Sequence, residues 1–122
     1  MNDIQVSQNF KLREFQCKGN NCCSGAVKLH SELLKRLQAM RTEANAPVRI
    51  NSGYRCAVHN SRVGSNESSQ HRRGTAADIV IVGWPIARQR ALCEAYFPDG
   101  GIGYANTFTH VDTRGSRARW NY

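Results

Sequence analysis

The segment Ala76-Ala77-Asp78-Ile79-Val80-Ile81-Val82 constrains this chain more than any other. It is the longest apolar run and is rich in β-branched residues, so it reads as a strand buried on both faces. It is far shorter than the roughly 20 residues a membrane helix needs. Yet it contains Asp78. A carboxylate among Ala77, Ile79, Val80 and Ile81 loses several kcal/mol of solvation unless it is paired or bound to a metal. From the local pattern, two solutions stay open: an arginine or backbone amides, or a metal ion.

The rest of the chain supplies one domain around this strand. Its 122 residues match the usual domain size, and no linker, repeat or low-complexity tract divides it. Residues 1–24 read as an irregular N-terminal arm carrying a short turn or helix and anchored by Phe10, Leu12 and Phe15. Val27, His30, Leu33, Leu34, Leu37, Met40 and Ala44 recur at helical spacing, which predicts a helix over 26–44, capped by Ser24 and ended by Asn45 and Pro47. His30 then belongs to the packed stripe. Val48–Asn51 reads as a short strand, Cys56–Val63 as a helical turn containing an exposed His59, and Pro85–Tyr96 as a second helix. Two short strands follow, 102–105 and 108–113. The tail Arg117–Tyr122 is expected to anchor Trp120 and Tyr122 on the core. This order predicts an α+β fold with a small, mainly antiparallel sheet flanked by helices.

Two further histidines bear on Asp78. His71 opens Ser69-Gln70-His71-Arg72-Arg73-Gly74-Thr75-Ala76-Ala77-Asp78, a loop histidine followed by a glycine turn. His110 lies in Phe108-Thr109-His110-Val111-Asp112, where strand alternation puts His110 and Asp112 on one face. Two histidines, one carboxylate and an open position form the ligand set of a catalytic zinc site, which activates a water as nucleophile. Asp112 could orient a ligand or take a proton.

Several motifs occur together in order: Asn9-Phe10-Lys11-Leu12-Arg13-Glu14-Phe15, Ser52-Gly53-Tyr54-Arg55, Gln70-His71-x-x-Gly74-x-Ala76-Ala77-Asp78-Ile79, Gly101-Ile102-Gly103-Tyr104 and His110-Val111-Asp112-x-Arg114. In them the sequence resembles the zinc D-Ala-D-Ala carboxypeptidase family, which includes bacterial wall carboxypeptidases, the vancomycin-resistance D,D-dipeptidase and phage L-alanyl-D-glutamate endolysins. The resemblance implies a hedgehog-like fold and one Zn²⁺ held by His71, Asp78 and His110. It also implies Arg55 in the site as a catalytic and substrate-binding group, and Ser69 as a substrate contact. An arginine there suits both an oxyanion and a terminal carboxylate. In many members an acid three residues before the last histidine is the general base, whereas this chain has Thr107. Asp112 is the substitute to expect, ahead of Glu67.

The expected activity is therefore zinc-dependent hydrolysis of peptide bonds involving D-amino acids in peptidoglycan stem peptides, as a carboxypeptidase or an endolysin-type endopeptidase. Thr107 motivates an alternative, a non-catalytic zinc-containing wall-binding or phage tail module. The net charge of +8 favours anionic polymers. The basic residues are dispersed and lack interleaved aromatics, which argues against specific nucleic-acid binding. The start of the sequence shows no basic-then-apolar leader. The expectation is a monomer made in the cytoplasm, phage- or prophage-encoded, that reaches the wall by another route. Five cysteines leave at least one thiol unpaired in a monomer. A zinc knot from Cys17, Cys22 and Cys23 lacks the paired CxxC spacing of structural sites, so reduced, packed thiols are expected for these and for Cys56 and Cys93.

Overall fold

The computed structural model describes residues 2–66 and 68–122. Strands β1 (Gln5–Ser7) and β2 (Phe10–Lys11) form a small antiparallel ladder, followed by a 3₁₀ turn over Leu12–Phe15. The turn is the short helical element expected in the arm; the ladder before it adds regularity that the polar sequence does not suggest. Helix α1 spans Ser31–Ala44, β3 Val48–Ser52, α2 Ala57–Arg62 and α3 Gln70–Arg73. They are followed by β4 (Ala76–Ile81), α4 (Ile86–Tyr96), β5 (Gly101–Tyr104), β6 (Thr109–Asp112) and β7 (Ala118–Asn121).

Helix α1 starts five residues later than the apolar spacing predicts. Residues 26–30 run without helix, and the His30 amide donates to the Gly74 carbonyl at 3.0 Å. That tertiary bond overrides the local helical pattern. His30 becomes the extended N-cap and is exposed, not part of the packed stripe. The other end follows the sequence, with Asn45 in the left-handed region (φ 48°) closing the helix. His59 lies within α2 and is half-buried, not exposed.

The main sheet has the order β3-β4-β6-β5-β7. Three pairings are antiparallel; the β5–β7 pairing is parallel. The fold is thus α+β with a mixed five-stranded sheet. Alternation divides each strand between two faces. Val48, Ile50, Ala77, Ile79, Ile81, Ile102 and Val111 join Leu33, Leu37, Met40, Leu92 and Phe97 of the helical layer in one core. Burying each of the larger aliphatic side chains contributes about 1.5–3 kcal/mol. Asp78, His110 and Asp112 alternate with those core residues, so they occupy the opposite face. Val82, read as the end of the buried run, lies beyond β4 and is exposed.

The tail is not a core anchor. It is β7, hydrogen-bonded beside β5, with Trp120 half-buried and Tyr122 exposed.

Candidate metal centre

Strand register assembles the site. Asp78 on β4 pairs directly with Ser52 on β3 and His110 on β6; His110 pairs with Gly103 on β5, and Gly103 with Trp120 on β7. One row of residues therefore crosses all five strands. An irregularity between Ile50 and Ser52 shifts β3 by one residue and brings Ser52 opposite Asp78. Gly103 leaves room for Trp120, whose ring atoms would lie 2.6 Å from a Cβ there. Trp120 thus reaches across β5 to stand 5.0 Å from the His110 ring.

His71 arrives from α3, a single turn capped by Ser69, whose Oγ accepts from the His71 amide at 3.2 Å. Gly74, at φ 76°, ends that turn and leads the chain towards β4. His71 is also tied to the segment after β3. Its Nδ1 lies 2.7 Å from the Gly53 carbonyl, and its own carbonyl accepts from the Arg55 amide at 3.1 Å.

The three side chains converge closely. His71 Nε2 lies 3.2 Å from Asp78 Oδ1; His110 Nδ1 lies 3.0 Å from the same oxygen and 3.2 Å from His71 Nε2. All three residues are buried. The outer contacts fix the tautomers. Gly53 can only accept, so His71 Nδ1 carries a proton, and in the neutral ring Nε2 presents the lone pair. His110 Nε2 donates to Asp112 Oδ2 at 2.7 Å, so in the neutral ring Nδ1 presents the lone pair. Burial opposes ionisation of Asp78, yet the neighbouring His110 and His71 outweigh it and hold the carboxyl well below its usual range. With both rings neutral, His71 Nε2, His110 Nδ1 and Asp78 Oδ1 turn lone pairs towards one point, where a cation would take the place of a bridging proton. Neighbouring ligands about 2.0–2.2 Å from such an ion lie roughly 3.3–3.6 Å apart in a tetrahedron, slightly wider than the separations here. The group could hold one metal ion.

Asp112 is fully buried behind His110 and does not line the cleft. Its Oδ1 accepts from the Gly101 amide (2.9 Å), the Arg114 amide (3.1 Å) and Arg114 Nε (2.9 Å). Its Oδ2 accepts from Arg114 Nη2 at 2.8 Å as well as from His110. A Cβ at Gly101 would fall 2.4 Å from this carboxylate, so glycine lets Asp112 lie over β5. Burial again opposes ionisation, and the hydrogen bonds from His110 and Arg114 outweigh it, keeping the carboxyl well below its usual range.

The ligand group sits in an open cleft of about 470 Å³. Arg55 lines it, with Nε donating to Ser52 Oγ at 3.2 Å and Nη2 lying 3.4 Å from Asp78 Oδ2. Ser65, Asn66 and Ser69 add a polar wall, and Phe108, Trp120 and Tyr122 an aromatic one. These aromatics touch in series, with Phe108 and Tyr122 centroids 5.4 Å apart and Trp120 and Tyr122 6.4 Å apart. Arg114 stacks over Trp120 at 5.0 Å. Thr107 is exposed in the turn before β6 and does not line the cleft. Glu67 lies outside the described residues. Among the described lining residues, Asp78 is the one carboxylate.

A family model described as Peptidase M15 matches residues 8–112. The chain belongs to the Peptidase M15 family. M15 peptidases are zinc enzymes, so a metallopeptidase with a peptide substrate is the class to which this chain belongs. No curated protein matches the chain. No helix among the described residues is long and apolar enough to cross a membrane.

The aromatic wall is what sequence reasoning missed in this M15 site. Trp120 and Tyr122 alternate, which signals a strand with one shared face. Their approach to His110, however, depends on parallel pairing across β5, which local pattern does not specify.

Proposed function

We propose that this chain is a zinc-dependent peptidase cutting bonds that involve D-amino acids in peptidoglycan stem peptides. The convergence of His71 Nε2, Asp78 Oδ1 and His110 Nδ1 on the cleft floor carries this reading. A zinc ion bound there polarises a carbonyl and lowers the pKa of a water towards neutrality. The surrounding side chains orient and stabilise. Gly53 fixes the lone pair of His71, and Asp112 that of His110, as outer hydrogen-bond partners of metal-binding histidines do. Asp112 is therefore a positioning residue, with its oxygens saturated by donors.

Arg55 faces the substrate in this reading. Its guanidinium keeps N–H groups beyond those bonded to Ser52 and Asp78, and these suit a developing oxyanion or a terminal carboxylate. Ser69 already accepts from the His71 amide, so its own O–H is left to donate into the cleft. The aromatic wall would cover the apolar side chains of a stem peptide. The net charge of +8 favours approach to the carboxylates and phosphates of wall polymers. The protein would be made in the cytoplasm and reach the wall through lysis or a phage particle.

Digestion of purified muropeptides, followed by mass spectrometry, tests the activity and identifies the scissile bond. New cleavage products should form, disappear with chelator and return with added zinc. Intact muropeptides in the presence of zinc-loaded protein would instead favour a non-catalytic wall-binding or tail module. The observation favouring that second reading is Asp78, a ligand, as the one carboxylate among the described lining residues.

Arg55→Lys separates substrate handling from metal binding. It keeps the charge but loses the planar fork. Zinc content should stay unchanged while turnover falls by roughly 10²-fold, as for loss of one oxyanion donor. Normal turnover in the variant rejects the role.

A further inference from the structure

Away from the cleft, four sulfur atoms meet. Cys17, Cys22, Cys23 and Cys56 place their Sγ atoms within 4.8 Å of one another. Cys17 and Cys22 are 4.0 Å apart, and Cys22 and Cys23 3.8 Å. All are free thiols. A disulfide requires about 2.05 Å between sulfurs. Four thiolates around one zinc ion at about 2.3 Å stand roughly 3.8 Å apart at a tetrahedron's edges.

The loop carrying three of these cysteines is held by polar contacts, among them Asn2 Nδ2 donating to the Gly25 carbonyl at 2.9 Å and Lys18 Nζ to the Ile50 and Asn51 carbonyls, and has no apolar side chain of its own to bury. Residues 18–25, Lys-Gly-Asn-Asn-Cys-Cys-Ser-Gly, contain no aliphatic or aromatic side chain. Nevertheless the loop closes, with the Cys17 amide donating to the Ala26 carbonyl at 2.8 Å and Arg62 Nη1 to the Asn20 carbonyl at 2.6 Å. It also accepts unfavourable backbone geometry: Asn21 and Ser24 both sit at φ 54°, a left-handed conformation that costs a non-glycine residue on the order of 1 kcal/mol or more. Gly19 gives way to the cluster, since a Cβ there would lie 2.8 Å from Cys22 Sγ. Cys56 completes the set from the N-cap of α2, where its Sγ accepts from the His59 amide at 3.5 Å. Among the described residues, Tyr54 is the one hydrophobic side chain other than the cysteines in this cluster.

We propose that Cys17, Cys22, Cys23 and Cys56 bind a second zinc ion in a closed, structural tetrathiolate site. Four sulfur ligands select a thiophilic tetrahedral ion and leave no open position for substrate. As the divalent ion enters, four S–H protons leave to solvent. The site links the N-terminal loop to the residue directly after Arg55, and so clamps the segment that supplies Gly53 and Arg55 to the cleft.

Metal analysis and cobalt substitution on the full, reduced chain test this independently of hydrolysis. The chain should bind two zinc ions, and the His71→Ala/His110→Ala double variant should retain one. Cobalt-loaded protein should show the intense near-ultraviolet sulfur-to-cobalt charge-transfer absorption of a thiolate site. Cys22→Ser/Cys23→Ser should lose that band, whereas Cys93→Ala, in the separate main core, should keep it. Absence of the band in the unmutated, cobalt-loaded chain overturns the proposal, whatever the folding of the variants. So does an intact mass lowered by disulfide formation, or a coloured, iron-loaded site in place of zinc.

Discussion

His71→Ala is expected to lower zinc content by one equivalent per chain and to reduce muropeptide hydrolysis by at least about 10³-fold. The latter corresponds to losing several kcal/mol of charge stabilisation in the transition state. The two losses should coincide because His71 reaches the cluster through one atom, Nε2, and its other nitrogen is committed to the Gly53 carbonyl. Alanine leaves Asp78 and His110 in place, 3.0 Å apart. A residual pair of ligands binds zinc poorly, and at acidic pH His110 can take a proton and pair with Asp78 instead. Zinc analysis beside a muropeptide digest decides the matter. Full zinc occupancy with unchanged hydrolysis would remove His71 from the centre.

Asp112→Asn should act on three measurements together. Zinc affinity should weaken by roughly 10–100-fold, the usual consequence of losing a carboxylate behind a metal-binding histidine. Stability should fall by about 2–3 kcal/mol, because a buried acceptor of charged hydrogen bonds is replaced by an amide whose NH₂ faces donors. Once zinc is saturating, turnover should recover much of its value, since the carboxylate faces His110 and Arg114, not the cleft. The stability difference should depend on pH. Asp112 has a depressed pKa in the folded chain, so its contribution is present above the unfolded carboxylate pKa of about 4 and fades as pH falls below it. Denaturant titrations at neutral and acidic pH, with a zinc competition assay, check all of this. Unchanged zinc affinity and stability with abolished turnover would return Asp112 to the role of general base.

The parts of this site legible in the sequence are those that violate a local rule. Asp78 is conspicuous because an apolar strand should exclude it, and period-two alternation places Asp112 beside His110. The elements were legible where side chains dictate their own periodicity, as in β4, α4 and the C-terminal end of α1. The start of α1 was not, because a hydrogen bond from His30 to Gly74 decides it. Cys56 gave no sign of joining Cys17, Cys22 and Cys23, because the turn after β3 brings it there through tertiary structure. The outer partner of His71 was equally hidden: the carbonyl of Gly53 has no side-chain signature. Asp112 remained ambiguous in sequence because its orientation depends on room above Gly101, which only the pairing of β5 with β6 reveals.

The row from Ser52 to Trp120 also distributes local stability unevenly across the cleft. Asp78 and His110 sit on β4 and β6, each hydrogen-bonded to a strand on both sides. Trp120 sits on β7, the sheet's border, with one neighbour and a parallel pairing. A border strand opens at lower free-energy cost than an interior one. Amides of β4 and β6, which carry Asp78 and His110, are therefore expected to exchange more slowly than those of β7, which carries Trp120. A bulky polymer chain can enter such a cleft by displacing its border while the ligand atoms keep their spacing.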